Sequence, residues 1–87
     1  MAPEGNKVMV IYAQSKNPSD FERSIEVYRD AVEIDGIGAR SVWSASRVQL
    51  SLITESNLII HINLETIKDG KEKEHAINIA KHVLKQL

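Results

Sequence analysis

Cysteine is absent from the 87 residues, which rules out disulfides and thiolate metal sites and removes any sign of a cross-linked secreted scaffold. Aromatic side chains are nearly as scarce. Tyr12, Phe21, Tyr28 and Trp43 are all there are, too few for the ladder of stacking rings by which an open sheet holds single-stranded bases. Long hydrophobic runs are missing too: the apolar stretch from Val8 to Ala13 is too short for a signal-peptide core or a membrane span. A cytoplasmic setting without a membrane partner is therefore expected. Nor is there an excess of charge of one sign, since eleven basic and twelve acidic residues leave a formal charge of -1. That balance argues against wholesale electrostatic attraction to nucleic acid, and no DNA partner is expected.

What the chain does have is alternation. From Arg47 to Glu65 apolar and polar residues alternate on both sides of Glu55-Ser56-Asn57. An antiparallel hairpin that pairs Thr54 with Leu58 also pairs Leu52 with Ile60, Leu50 with Ile62 and Val48 with Leu64, giving one aliphatic face. The intervening positions pair Ile53 with Ile59, Ser51 with His61, Gln49 with Asn63 and Arg47 with Glu65. A slip by one residue would turn Gln49, Ser51, His61 and Asn63 into the core, so the register is strongly specified.

Around this hairpin, residues 1–6 read as a loose leader and residues 7–87 as a single domain. Lys7 to Ala13 is a strand apolar on both faces, the pattern of a strand interior to a sheet. Ser19 to Asp35 reads as a helix: Ser19 and Glu22 make a capping box, Phe21, Ile25, Tyr28 and Val32 form a stripe, and Gly36 follows as a left-handed cap. Ala39 to Ala45 is a short strand with Val42 and Trp43 on opposite faces, and Ser44-Ala45-Ser46 is either a tight corner before the hairpin or a bend at a bulge in one long strand. Lys71 to Leu87 is a second amphipathic helix, with Ala76, Ile77, Ala80, Val83, Leu84 and Leu87 on one side and Asp69 and Glu72 at its start. The expected fold is an α+β two-layer sandwich in the order βαβββα, with both helices on one face of a mainly antiparallel sheet. If the first strand runs parallel to its successor, the helix between them makes a right-handed crossover.

No catalytic motif accompanies this framework. Gly36-Ile37-Gly38 lacks the helix and lysine that a phosphate loop requires. Glu22, Glu26 and Asp30 repeat at four-residue spacing, but nothing near them supplies the buried environment that separates an acid from a base. His75 and His82 stand two helical turns apart, too far to chelate one ion unaided. Ser51 and His61 face each other across the hairpin and can share a hydrogen bond. A nucleophile also needs an orienting acid and an oxyanion site, however, and Glu65 is about 13 Å of strand away. The expectation is a non-enzymatic protein with no cofactor and no metal site.

With both helices on one face, the other face of the sheet would stay open, carrying Gln49, Ser51, Ile53, Ile59, His61 and Asn63 with Arg47 at one end and Trp43 as a possible anchor. These are the candidate interface residues of a protein-interaction or assembly module, either a homodimer or a subunit of a larger complex, that uses the free sheet face or an exposed edge. The two-sided apolarity of Val8 to Ala13 points the same way, because an uncovered sheet would leave Met9, Ile11 and Ala13, or their alternates, wet.

Charge suggests a second reading. Six acids against Arg23 and Arg29 give Ser19 to Asp35 a charge of -4, while five lysines against three acids give Thr66 to Leu87 a charge of +2. The order helix, three strands, helix over Ser19 to Leu87, with Gly70-Lys71-Glu72-Lys73-Glu74-His75-Ala76 at the start of the last helix, is similar to the double-stranded RNA-binding domain family. That resemblance implies an RNA-binding module, and Lys68, Lys71 and Lys73 near a helix N-terminus are the residues expected to hold phosphate.

Overall fold

Among the described residues seven elements follow one another: β1 (Met9–Gln14), α1 (Ser19–Ile25), β2 (Ala31–Glu33), β3 (Arg40–Ser44), β4 (Gln49–Ile53), β5 (Leu58–Asn63) and α2 (Glu72–Gln86). The computed structural model describes residues 9–17, 19–64 and 70–87. All five strands form one sheet in the order β1-β5-β4-β3-β2, and every neighbouring pair is antiparallel. The α+β class and the antiparallel sheet agree with the sequence pattern.

The hairpin register is the one that the alternation requires. Gln49, Leu50, Ser51, Leu52 and Ile53 lie opposite Asn63, Ile62, His61, Ile60 and Ile59. The Thr54 N–H to Leu58 carbonyl bond and the Leu64 N–H to Val48 carbonyl bond, each 2.9 Å, extend the ladder at both ends. At the turn, the Asn57 N–H returns to the Thr54 carbonyl at 3.0 Å and Asn57 takes a φ of 65°. This is the left-handed position that closes a three-residue hairpin loop, and asparagine tolerates it better than most side chains. Glu65, the expected partner of Arg47, and Asp69, the expected helix cap, lie outside the described residues.

Alternation on β4 and β5 splits the sheet into two cores. On one face Leu50, Leu52, Ile60, Ile62 and Leu64 are fully buried with Ile37, Trp43, Ala76 and Ala80. Two alanines on α2 let the helix approach the sheet closely, while Ile77, Ile79, Val83 and Leu84 pack around them. Leu87, expected in this stripe, is 63% exposed beyond the helix end. On the other face Phe21, Ile25 and Tyr28 cover Val42, Ile53 and Ile59. The helices therefore sit on opposite faces, not together on one. Val42, Ile53 and Ile59 make an apolar patch within the otherwise polar face, and burying each such side chain is worth about 1.5–3 kcal/mol. That is enough for a short helix carrying Phe21 and Ile25 to dock there.

The first helix stops at Ile25 instead of running to Asp35. Phe21, Ile25 and Tyr28 keep their helical spacing as a buried stripe, but Asp30 is then captured from a distance. Its carboxylate accepts from Ser44 Oγ at 2.7 Å, from the Ser46 N–H at 2.8 Å and from Ser46 Oγ at 3.1 Å. Ala31, Val32 and Glu33 emerge as an additional strand opposite Ser44, Trp43 and Val42. Val32, assigned to the helix stripe by spacing, is β-branched and suits the strand equally well; it is 52% exposed there. Gly36 accordingly lies in the β2–β3 connection and caps no helix. The α1 start also differs from the expected Ser19–Glu22 capping box: Asn17 Oδ1 accepts the Ser19 N–H at 3.0 Å, and Glu22 is drawn to Arg40.

The first strand departs most from expectation. It is an edge strand, not an interior one, and it pairs antiparallel with β5, from Met9 opposite Asn63 to Gln14 opposite Leu58. Among the described residues every strand pair is antiparallel, so a parallel crossover is not found there.

Candidate functional site at the open edge of the sheet

Three of the six residues of β1 are large, apolar and exposed: Met9 at 59%, Ile11 at 47% and Tyr12 at 52%. They occupy both faces. Val10 and Tyr12 stand opposite Ile62 and Ile60 on the α2 side, and Val10 packs against that core. Met9, Ile11 and Ala13 stand opposite Asn63, His61 and Ile59 on the α1 side, where α1 lies over the β3–β4 half of the sheet and leaves β1 uncovered.

The direction of the β1 backbone follows from the bonds at its ends. The Ser15 N–H bonds to the Asn57 carbonyl at 2.9 Å, and the even-numbered Leu58 and Leu64 turn their backbone groups toward β4. Peptide groups alternate sides along an antiparallel strand. The odd-numbered residues of β1 thus bond to β5, and Val10, Tyr12 and Gln14 point their N–H and C=O groups outward. Among the described residues no strand meets them. At one end Gln14 Nε2 donates to the Ser56 carbonyl at 2.9 Å, which ties the strand to the β4–β5 turn.

Beneath this edge runs a polar chain. Ser51 Oγ is 2.7 Å from His61 Nδ1 and 2.9 Å from the Tyr28 hydroxyl. Gln49 Nε2 donates to that hydroxyl, and Asn63 Nδ2 donates to Gln49 Oε1 at 3.1 Å. With His61 neutral and its proton on Nε2, the chain is satisfied by donation from Gln49 to Tyr28, from Tyr28 to Ser51 and from Ser51 to His61 Nδ1. Burial pushes the His61 pKa below the ordinary histidine value, which suits the accepting role. The Arg47 guanidinium lies 5.3 Å from the centre of the Tyr28 ring and, with Ser46, Gln49 and Asn63, lines a shallow cleft.

The residues assigned to an interface by sequence now divide. Ser51, Ile53 and Ile59 are buried beneath α1, and Trp43 is buried in the α2 core at 7% exposure, so none of these four presents a surface. Arg47 is exposed, and Gln49, His61 and Asn63 are half-buried. Ser51, although hydrogen-bonded to His61 as foreseen, has no exposed surface through which its hydroxyl would meet a substrate. Lys71 and Lys73 are exposed at the start of α2 with Glu72 and Glu74 interleaved, and Lys68 lies outside the described residues. His82 is exposed and His75 half-buried on the same helix.

Two contributions escape the sequence reading. Tyr28 is a core residue, yet its hydroxyl joins the polar chain; the available signal was that a buried tyrosine needs a partner for its oxygen. The interface potential of Met9, Ile11 and Tyr12 was legible only as a strand apolar on both sides. No protein-family model, curated protein or solved structure matches this chain.

Proposed function

We propose that this protein is a small non-enzymatic interaction and assembly module that engages a protein partner by strand addition to β1. The supporting observation is the edge itself: six residues without a charge, with Met9, Ile11 and Tyr12 exposed and the backbone of Val10, Tyr12 and Gln14 aimed outward. Soluble proteins usually blunt such an edge with a charge, a proline or a bulge. None stands between Met9 and Gln14. The opposite edge is protected by contrast, since β2 has only three residues and its Glu33 is held by Arg40 at 2.7 Å. In strand addition the main chain supplies much of the affinity and alternate side chains supply selectivity. Here the selectivity would come from Met9 and Ile11 beside His61 and from Tyr12 on the other face.

Other features support the same reading. Among the described residues no helix is long and apolar enough to cross a membrane, and a cysteine-free chain is at home in the reducing cytoplasm, where we place its action. The polar chain adds side-chain hydrogen bonds between β4 and β5, the strand on which β1 is paired. Photoreactive side chains placed at Tyr12 and, as a control, at exposed Lys81 in separate variants test the reading in lysate of the source cells. A protein adduct at position 12 and none at position 81 is the expected result. Labelling at 12 that is absent, or no stronger than at 81, overturns it.

A further inference from the structure

We propose that the occupant of the β1 edge is a second copy of this chain, paired antiparallel about a two-fold axis through Tyr12. This rests on the strand-addition reading and adds the partner and the register.

Charge selects the partner. β1, β5 and β4 lie side by side and contain no Asp, Glu, Lys or Arg among them. An acidic or basic peptide would find no countercharge on this half of the sheet, whereas an uncharged apolar strand meets no repulsion and leaves no charge buried. The chain itself carries such a strand with an outward-facing hydrogen-bonding edge.

The backbone selects the register. Among the described residues of β1, Val10, Tyr12 and Gln14 present outward N–H and C=O groups. With Tyr12 opposite Tyr12 of the second copy, Val10 pairs with Gln14 and Gln14 with Val10, so all three residues bond to one another's counterparts. Centring on Ile11 instead pairs Val10 with Tyr12 and leaves Gln14 without a counterpart among the described residues of β1. In the Tyr12 register Ile11 packs against Ala13 of the other copy, covering the exposed apolar margin beside His61. The two sheets become one, with both α2 helices on the same side.

Closure follows from the remaining edges. Pairing β1 with β1 is isologous and consumes the long edge of each copy. The outer edges are then the two β2 strands, short and bearing Glu33, which are poor templates for further growth. A dimer is the end point, not a fibre.

Sedimentation equilibrium of the purified chain at micromolar concentration should give twice the 9.8 kDa of the monomer. Tyr12→Lys, which sets two cations directly opposite each other at a position already 52% exposed, should weaken the dimer ~tenfold or more. Val32→Lys on the far edge, also 52% exposed, should leave it intact. Because the chain has no cysteine, single Tyr12→Cys and Ile11→Cys variants read the register by oxidation. Directly opposed hydrogen-bonded residues have Cα atoms about 5.5 Å apart, within a disulfide's reach, while Ile11 and its copy would be separated by about 8 Å. Covalent dimer from Tyr12→Cys and little from Ile11→Cys is expected. The reverse pattern overturns the Tyr12 register. A chain that sediments as a monomer throughout overturns self-pairing, and strand addition by another protein is then judged separately by photolabelling at position 12. A folded Tyr12→Lys variant that dimerises as tightly as the parent overturns the use of this edge.

Discussion

Ser51 Oγ sits 2.7 Å from His61 Nδ1 across the β4–β5 hairpin, and the serine has no exposed surface of its own. Burial lowers the His61 pKa from the ordinary value of 6.5, so the folded protein resists taking up a proton that the unfolded chain accepts. The sign follows directly: as pH falls through about 6.5 the unfolded chain binds more protons and stability declines until the lowered folded pKa is passed. Urea unfolding at about pH 7.5 and about pH 5 should show lower stability at the acid end. His61→Gln should flatten that part of the profile. A His61→Gln profile with the same slope as the parent would remove His61 as its source.

Asp30 makes a second, separable prediction. Three hydrogen bonds from Ser44 and Ser46 hold its carboxyl below the usual aspartate value, the Ser44 hydroxyl foremost. A lowered folded pKa means stability present above the ordinary value of 3.8 and lost as pH falls through the folded value, so this loss sets in below 3.8 whereas that of His61 sets in at 6.5. Asp30→Ala should also leave the buried Ser44 hydroxyl without this acceptor and loosen the β3–β4 corner. Amide exchange read residue by residue should rise at Ser46 and along β2 while β5 stays protected. Uniform loss of protection would show that Asp30 holds the whole fold instead of this corner.

That corner explains what the sequence concealed. Gln49 to Asn63 was legible to the residue because period-two alternation and a three-residue turn admit one register, and a slip buries polar groups. The end of α1 was not. Val32 and Ile34 fit a helical stripe and a strand equally well, and the deciding contacts, Asp30 to Ser44 and Ser46, span fourteen and sixteen residues. Helix placement was hidden for a similar reason. The stripes of α1 and α2 are both simply apolar, and only the positions of Val42, Ile53 and Ile59 on the second face show where Phe21 belongs. For the site, the double-sided apolarity of β1 was visible, but an interior strand and an unprotected edge share that pattern until neighbours are known.

Gly38 tests the geometry of the β2–β3 loop. Its φ is +61°, and a Cβ added there would lie 2.8 Å from the Ile53 carbonyl oxygen, closer than a methyl group can approach without moving β4. The Ala39 N–H bonds to that same oxygen at 2.9 Å, which fixes it in place. Gly38→Ala should therefore cost about 2 kcal/mol, from left-handed backbone strain together with the clash. Chemical denaturation measures it directly, and a cost below about 0.5 kcal/mol would mean that the loop relaxes away from β4.

Placement of the two helices on opposite faces is testable by coupling energies, using neighbours on one strand. Ile59 and Ile60 are adjacent in β5, yet Ile59 shares a core with Phe21 beneath α1 while Ile60 belongs to the core under α2. Conservative truncations keep the protein folded: Ile59→Val and Ile60→Val should each cost about 0.5–1.5 kcal/mol. Combined with Phe21→Leu, the Ile60 change should add to within about 0.5 kcal/mol, because the sheet separates the two sites. The Ile59 change should instead show an interaction energy above about 0.5 kcal/mol, since both substitutions alter one packed cluster. Coupling of Phe21 to Ile60 with additivity at Ile59 would place α1 on the same face as α2, and would reopen the polar face of the hairpin as a surface.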